Sequence, residues 1–156
     1  MQTVATDHAP FDFRKQKEMG KNDFTKIPNG IPGIETRLPL LFDGVSKGRI
    51  TLQQFVALTA TNQARIYGLS GRKGAIAIGA DADLALWDPD REVTIRNDDL
   101  HHAVDYTPYE GMTLAAWPAL TLAGGEVVWD GADFHPRAGR GRFLRCGAPT
   151  LRPRTR

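Results

Sequence analysis

The sequence predicts an α/β fold over residues 1–70, a small all-β module over 71–136 and a basic tail at 137–156. Three observations carry this prediction. A short run, Thr3-Val4-Ala5, leads straight into Thr6-Asp7-His8-Ala9-Pro10-Phe11, where Pro10 ends regular pairing. Thr51 to Tyr67 has helical periodicity, and from about residue 74 the apolar residues recur with period two instead.

Taken in order, Thr3-Val4-Ala5 is the end of a strand, which puts Asp7 at its C-terminal tip. Residues 12–33 mix Lys, Arg, Asp and Gly and close on Pro28-Asn29-Gly30 and Pro32-Gly33. They form a long irregular loop with tight turns near its end, of a length that compact domains usually keep for function. Ile34 to Phe42 is a short apolar-rich helix closed by Asp43-Gly44. In the helix from Thr51 to Tyr67, Thr51 and Gln54 form a capping box, and Gly68 supplies the stop. Leu52, Phe55, Val56, Leu58, Thr59 and Ile66 fall mainly on one face of it, so both helices need a body to pack on. Ala75-Ile76-Ala77-Ile78 and Ala82 to Trp87 are strand-like on either side of Gly79-Ala80, and Glu92 to Arg96 alternates in the same way. Ala119 to Ala123, Gly124-Gly125 and Glu126 to Trp129 form a hairpin on a two-glycine turn.

The 156 residues are 41% hydrophobic and 24% charged, which excludes a disordered or fibrous chain. They are too few for a complete (β/α)₈ barrel, a fold of about 250 residues. No run approaches the roughly 20 apolar residues of a membrane span. Met1 to Pro10 lacks the layout of a secretory signal, so a cytoplasmic location is expected. Cys146, the only cysteine, is expected to be a reduced tail residue, and neither a disulfide nor a cysteine-based zinc site is possible within one chain. The net charge of +2 hides an asymmetry: residues 137–156 hold seven arginines and no acid, +7, against 13 basic and 18 acidic residues elsewhere, −5. With one aromatic, Phe143, and no Lys, this tail lacks the interleaved stacking residues of a nucleic-acid binder. It is expected to lie over an acidic body or to be solvated.

Asp7 is the first candidate for chemistry. A carboxylate at a strand tip before a long loop is where barrel enzymes place catalytic and metal-binding groups. One oxygen binds a cation while the other takes a proton from metal-bound water; the alternative is a turn or cap aspartate. His8, His101, His102 and His135 contain no His-x-His or His-x-x-x-His pair, so no self-contained multi-histidine metal site is expected. His101 and His102 are adjacent, so in a strand they point to opposite faces, and a satisfied surface or interface role is expected; His135 beside Pro136 lies in a turn. Gly30 and Gly33 match neither phosphate-loop pattern and instead let the backbone approach a ligand. Asn29 is suited to present backbone N–H and C=O groups to a polar cyclic substrate, or is a structural turn residue. Asp81 and Asp83 are better read as same-face residues of an exposed strand than as metal ligands.

Four segments then fall in a recognisable order: Val4 to Phe11, Ile27 to Arg37, Lys73-Gly74 through Ala80-Asp81-Ala82-Asp83-Leu84, and Asp105-Tyr106-Thr107-Pro108-Tyr109-Glu110-Gly111. Over nearly the whole chain they resemble the C-terminal part of the hydantoinase and dihydropyrimidinase branch of the amidohydrolases. The resemblance implies the C-terminal part of a metal-dependent (β/α)₈ barrel, its last strand ending at Asp7 and its last helices, followed by strands of a small β-sandwich. It implies zinc, binuclear in the complete enzyme, with Asp7 as ligand of the more buried ion and as general base. It implies that the Asn29 backbone holds the imide or ureido edge of the ring. The reaction implied is hydrolytic opening of 5-substituted hydantoins or dihydropyrimidines to N-carbamoyl amino acids, in a homo-oligomer.

The family's His-x-His pair, carboxylated lysine and two further histidine ligands have no match here. The chain therefore corresponds to about the last third of such an enzyme, inactive alone, and its unpaired edges predict oligomerisation or aggregation. Allantoinases and dihydroorotases share the metal aspartate and stand as an alternative. A non-enzymatic oligomerisation module on the same scaffold is the second reading. Nucleic-acid binding through the tail is the weakest.

Overall fold

The computed structural model describes residues 1–150; the last part of the basic tail, with Arg152, Arg154 and Arg156, lies outside the described residues. Local chemistry builds the helices first. Gln54 donates its N–H to Thr51 Oγ1 at 3.1 Å, and Thr51 donates its own to Gln54 Oε1 at 2.8 Å, completing the predicted capping box. The helix that starts there runs as α2 (Leu52–Val56), a π-helical turn (Ala57–Thr61) and α3 (Asn62–Ile66), ending ahead of Gly68. The preceding helix, α1 (Arg37–Ser46), differs from the prediction at both ends. Asp43 does not close it; buried and paired with Lys47 at 2.6 Å, one helical turn on, it supports the final turns instead.

Three strands follow, β1 (Leu84–Thr94), β2 (Thr113–Ala123) and β3 (Glu126–Trp129), in an antiparallel sheet of order β1-β2-β3. The hairpin turn is the predicted pair of glycines, both left-handed at φ 61° and 81°, as a tight two-residue turn requires. Two predicted strands merge in β1, with an irregularity between Asp88 and Glu92. β2 begins six residues earlier than predicted, because Pro118 sits inside it opposite Trp87, next to a break in register where the ladder tolerates a proline.

Two predicted strands do not form. Thr3-Val4-Ala5, the expected last barrel strand, is unpaired among the described residues: the Val4 N–H donates to Leu58 O in the π-helical turn at 3.2 Å, and the Val4 carbonyl accepts from Arg37 Nη1 at 2.9 Å. Helices thus satisfy the main-chain groups that a neighbouring strand would take. Ala75 to Ile78 is likewise irregular, with Ile76 and Ile78 exposed. Alternation alone makes no strand where no neighbour is present to share the ladder. The loop at 12–33 is as irregular as predicted apart from two short 3₁₀ turns, Lys17–Gly20 and Phe24–Lys26.

Helices and sheet meet on aromatic rings. Phe42 of α1 stacks on Trp87 of β1 at 4.7 Å between centroids, and Phe55 of α2 meets both edge-on at 5.3 and 5.7 Å. With Phe55, the buried apolar residues among those described include Ala64, Ile95, Leu114 and Ala116. No helix among the described residues is long and apolar enough to cross a membrane.

Candidate functional site

The segment carrying Asp7 is fastened to the loop carrying Asn29 by three contacts. The main-chain N–H groups of Gly33 and Ile34 donate to His8 Nδ1 at 3.1 and 3.3 Å. Two donors on one ring nitrogen make it the acceptor, so the ring proton sits on Nε2. His8 also forms a parallel bridge with Ile31. The main chain of Gly30, at φ 107°, packs directly against Ala9: a Cβ built at residue 30 would stand 2.4 Å from the Ala9 carbonyl oxygen. The close approach that this glycine permits is to the Asp7 segment, where the sequence predicts approach to a ligand.

Lys17 fixes the turn from below. Its ammonium group donates to the carbonyls of Pro28 and Gly30, the latter at 2.6 Å, and lies 5.4 Å from the centre of the Phe11 ring. The residue between those carbonyls, Asn29, is exposed, and its own N–H and C=O make no hydrogen bond among the described residues. Asp7 is exposed too, at φ 47°, in the left-handed region that few non-glycine residues occupy. Its carboxylate has no hydrogen-bond partner among the described residues. Backbone strain of this kind concentrates where a side chain must be aimed.

A second ring of residues holds the loop from the sheet side, and sequence reasoning assigned it no role. Asp105 accepts from the Phe13 N–H at 2.6 Å and the Arg14 N–H at 3.2 Å, and the first of these bonds above all holds its carboxyl below the usual aspartate value. Tyr106 packs edge-on against Phe13 at 5.4 Å. Glu35 takes two hydrogen bonds from His101, one from its N–H and one at Nδ1, each at 2.8 Å. His101 and His102 lie in irregular chain rather than a strand, and His102 meets Asn97 Oδ1 at 2.8 Å; burial pushes its imidazole down. Asp105 and Glu35 lie tens of residues from their partners, and no spacing pattern could have joined them.

Asp81 and Asp83 belong to a different cluster. Lys73 lies between them, 3.0 Å from Asp81 and in direct contact with Asp83, while Arg72 reaches Asp81 at 3.2 Å and the Gly124 N–H reaches Asp83 at 2.7 Å. The lysine depresses both carboxyls, and Asp83 above all raises the lysine. The cluster ties the hairpin turn to the strand entry. His135 pairs with Asp130 in the turn after β3, and Cys146 is exposed.

Among the described residues no group of three or more His, Cys, Asp or Glu side chains is placed to hold a metal ion. Zinc takes three or four protein donors. Asp7 stands as one donor by itself, so the residues present do not make up a zinc site.

Comparison with known proteins bears on this arrangement. Residues 45–129 match the Amidohydrolase family. A D-hydantoinase from Geobacillus stearothermophilus is 48% identical over 146 residues, covering 93% of this chain and 31% of that protein. A D-hydantoinase from Ralstonia pickettii is 43% identical over 144 residues, covering 92% and 32%. A crystal structure of dihydropyrimidinase from Brevibacillus agri superposes with a TM-score of 0.91 at 45% identity, covering 98% of this chain and 33% of that one. The chain spans about a third of the length of these relatives.

Proposed function

The chain belongs to the amidohydrolase family, and from that membership we propose that it carries the strand-tip aspartate and the substrate-holding loop of a cyclic-amide hydrolase of the hydantoinase and dihydropyrimidinase type. The observation that supports this is the apposition of two segments through Gly30 and His8, one carrying an unpaired carboxylate and the other an unpaired peptide edge.

Each group has a task in this reading. The Asn29 N–H and C=O meet the imide or ureido edge of the ring, which offers an acceptor and a donor side by side, and so orient it. The Asp7 carboxylate takes a proton from the attacking water and returns it to the ring nitrogen. The water oxygen bonds to the ring carbonyl carbon, the C–N bond breaks, and an N-carbamoyl amino acid results. Strain at Asp7 and the anchoring of Asn29 between two lysine-held carbonyls keep both groups aimed before substrate arrives.

Hydantoinases are generally metal-dependent, and zinc is the metal the resemblance implies. This chain offers a single candidate ligand, Asp7, so no step here is routed through the metal. In the same reading residues 1–70 are the end of the barrel domain, 71–136 part of a β-sandwich and 137–156 a basic tail, within a cytoplasmic homo-oligomer. An assembly role on the same scaffold has one observation in its favour, the apolar side chains left open on the helices and the 75–78 segment, with Leu52 51% and Ile76 89% exposed.

The test joins the first two thirds of the Geobacillus stearothermophilus D-hydantoinase to this chain and assays hydantoin and dihydrouracil opening, with the 156-residue chain alone beside it. The chimera is expected to turn over a ring and the chain alone is not. A folded, metal-loaded chimera that opens neither ring would overturn the hydrolase reading.

A further inference from the structure

A cleft lined by neither Asp7 nor Asn29 opens between α1 and the sheet. It has a volume of about 300 Å³ and is walled by Trp117 and Pro118 of β2, Trp129 of β3, Phe134 and Pro39, with Glu35 and His101 supplying polar atoms and Thr121 a hydroxyl. We infer that this cleft binds a small organic ammonium cation carrying an apolar group.

The chemistry of the walls selects the ligand. Aromatic faces are electronegative and attract cations, most strongly where water is excluded. Trp129 spends its indole N–H on the Pro118 carbonyl at 3.4 Å, so it presents its ring to the cleft without a free donor. A substrate carbonyl or an anion therefore finds no donor on Trp129. Glu35 brings a carboxylate to the same space, and His101 holds it there through the N–H and Nδ1 contacts. The imidazole in turn meets Trp129 edge-on at 5.6 Å, which locks the dyad against the aromatic wall. Each Glu35 oxygen keeps a second lone pair for a cation. Aromatic rings, one anchored carboxylate and room for a small molecule make a site complementary to an alkylammonium or quaternary ammonium group and poorly matched to neutral polar rings.

The inference stands apart from the hydrolase reading, because it requires no turnover and is tested on the 156-residue chain. Two of the three tryptophans line the cleft, so their fluorescence reports occupancy. At pH 8, benzyltrimethylammonium is titrated against the chain, with benzyl alcohol as the uncharged comparator. A saturable fluorescence change is expected, at least tenfold tighter for the cation, and Glu35→Gln is expected to weaken the cation at least tenfold while leaving the alcohol unchanged. Equal affinity for the two probes, or no saturable change with the cation, overturns the inference. Should Glu35→Gln lose its native near-ultraviolet circular dichroism, the preference of the unsubstituted chain between the two probes decides.

Discussion

Gly30 lies so close to Ala9 that a β-carbon at residue 30 would fall 2.4 Å from the Ala9 carbonyl oxygen, at a backbone φ of 107°. Both facts act against any other residue there. Gly30→Ala must push the Asn29 turn off the Asp7 segment and also strain the backbone, at a cost above about 1 kcal/mol. In the chimera the substitution is expected to lower turnover at least tenfold through substrate positioning. Its check is a steady-state assay beside a urea unfolding curve. Unchanged turnover would show that the contact is structural only.

Asp7 and Asp83 offer a direct contrast. Asp7 is unpaired and strained among the described residues, whereas Asp83 is held by Lys73 and Gly124. In the proposed role of general base, Asp7 would contribute on the order of 10²–10⁴-fold to rate. In the chimera, Asp7→Ala is therefore expected to lower kcat by that factor with the fold intact. Asp83→Ala is expected to loosen the hairpin turn, seen as a lower melting temperature, and to leave kcat close to that of the parent. Near-normal ring opening by the Asp7→Ala enzyme would remove Asp7 from the mechanism.

What was legible in the sequence follows the range of the forces involved. The Thr51 to Gln54 capping box and the Gly124-Gly125 turn are settled within four residues, and both form as predicted. The extended runs at Thr3 to Ala5 and Ala75 to Ile78 were misread as strands because pairing depends on a neighbour that local pattern does not reveal. Pro118 hid the first half of β2 for the converse reason: a register irregularity supplied by β1 accommodates it. At the candidate site, Asp7 and Asn29 were visible as residues, but their contact through Gly30 and His8 was not. The supports from Asp105 and Glu35 were missed, since each carboxylate reaches across more than sixty residues to its partner.

Phe55 is buried with its ring edge-on to the stacked pair of Phe42 and Trp87, the contact through which α2 holds the sheet. Phe55→Ala removes the whole ring and leaves a cavity, a change that costs about 3–5 kcal/mol in a packed core. The chain is expected to lose most of its stability, read as a large fall in the urea midpoint. Thr51→Ala at the helix start, which removes only the cap, is expected to cost about 1 kcal/mol. A Phe55→Ala variant no less stable than Thr51→Ala would mean that helices and sheet are not coupled through these rings.

The turn after β3 carries a pH signature of its own. Asp130 accepts from the Asp133 N–H at 2.8 Å, from His135 Nε2 at 2.8 Å and from the Ala132 N–H at 3.0 Å. The first of these bonds contributes most to lowering its carboxyl from the ordinary 3.8 to about 2. A carboxyl depressed in the folded state stabilises it above the unfolded value, and that contribution fades as acid protonates the folded form. The advantage of the native chain over Asp130→Asn should accordingly be level above about pH 5 and shrink as pH falls from 3.8 toward 2. Carbon-13 detection of the Asp130 carboxyl in the folded protein should show its midpoint near 2. A midpoint at 3.8 would mean that the turn does not hold this carboxylate in solution, and that Phe134, at the edge of the aromatic cleft, is not anchored by it.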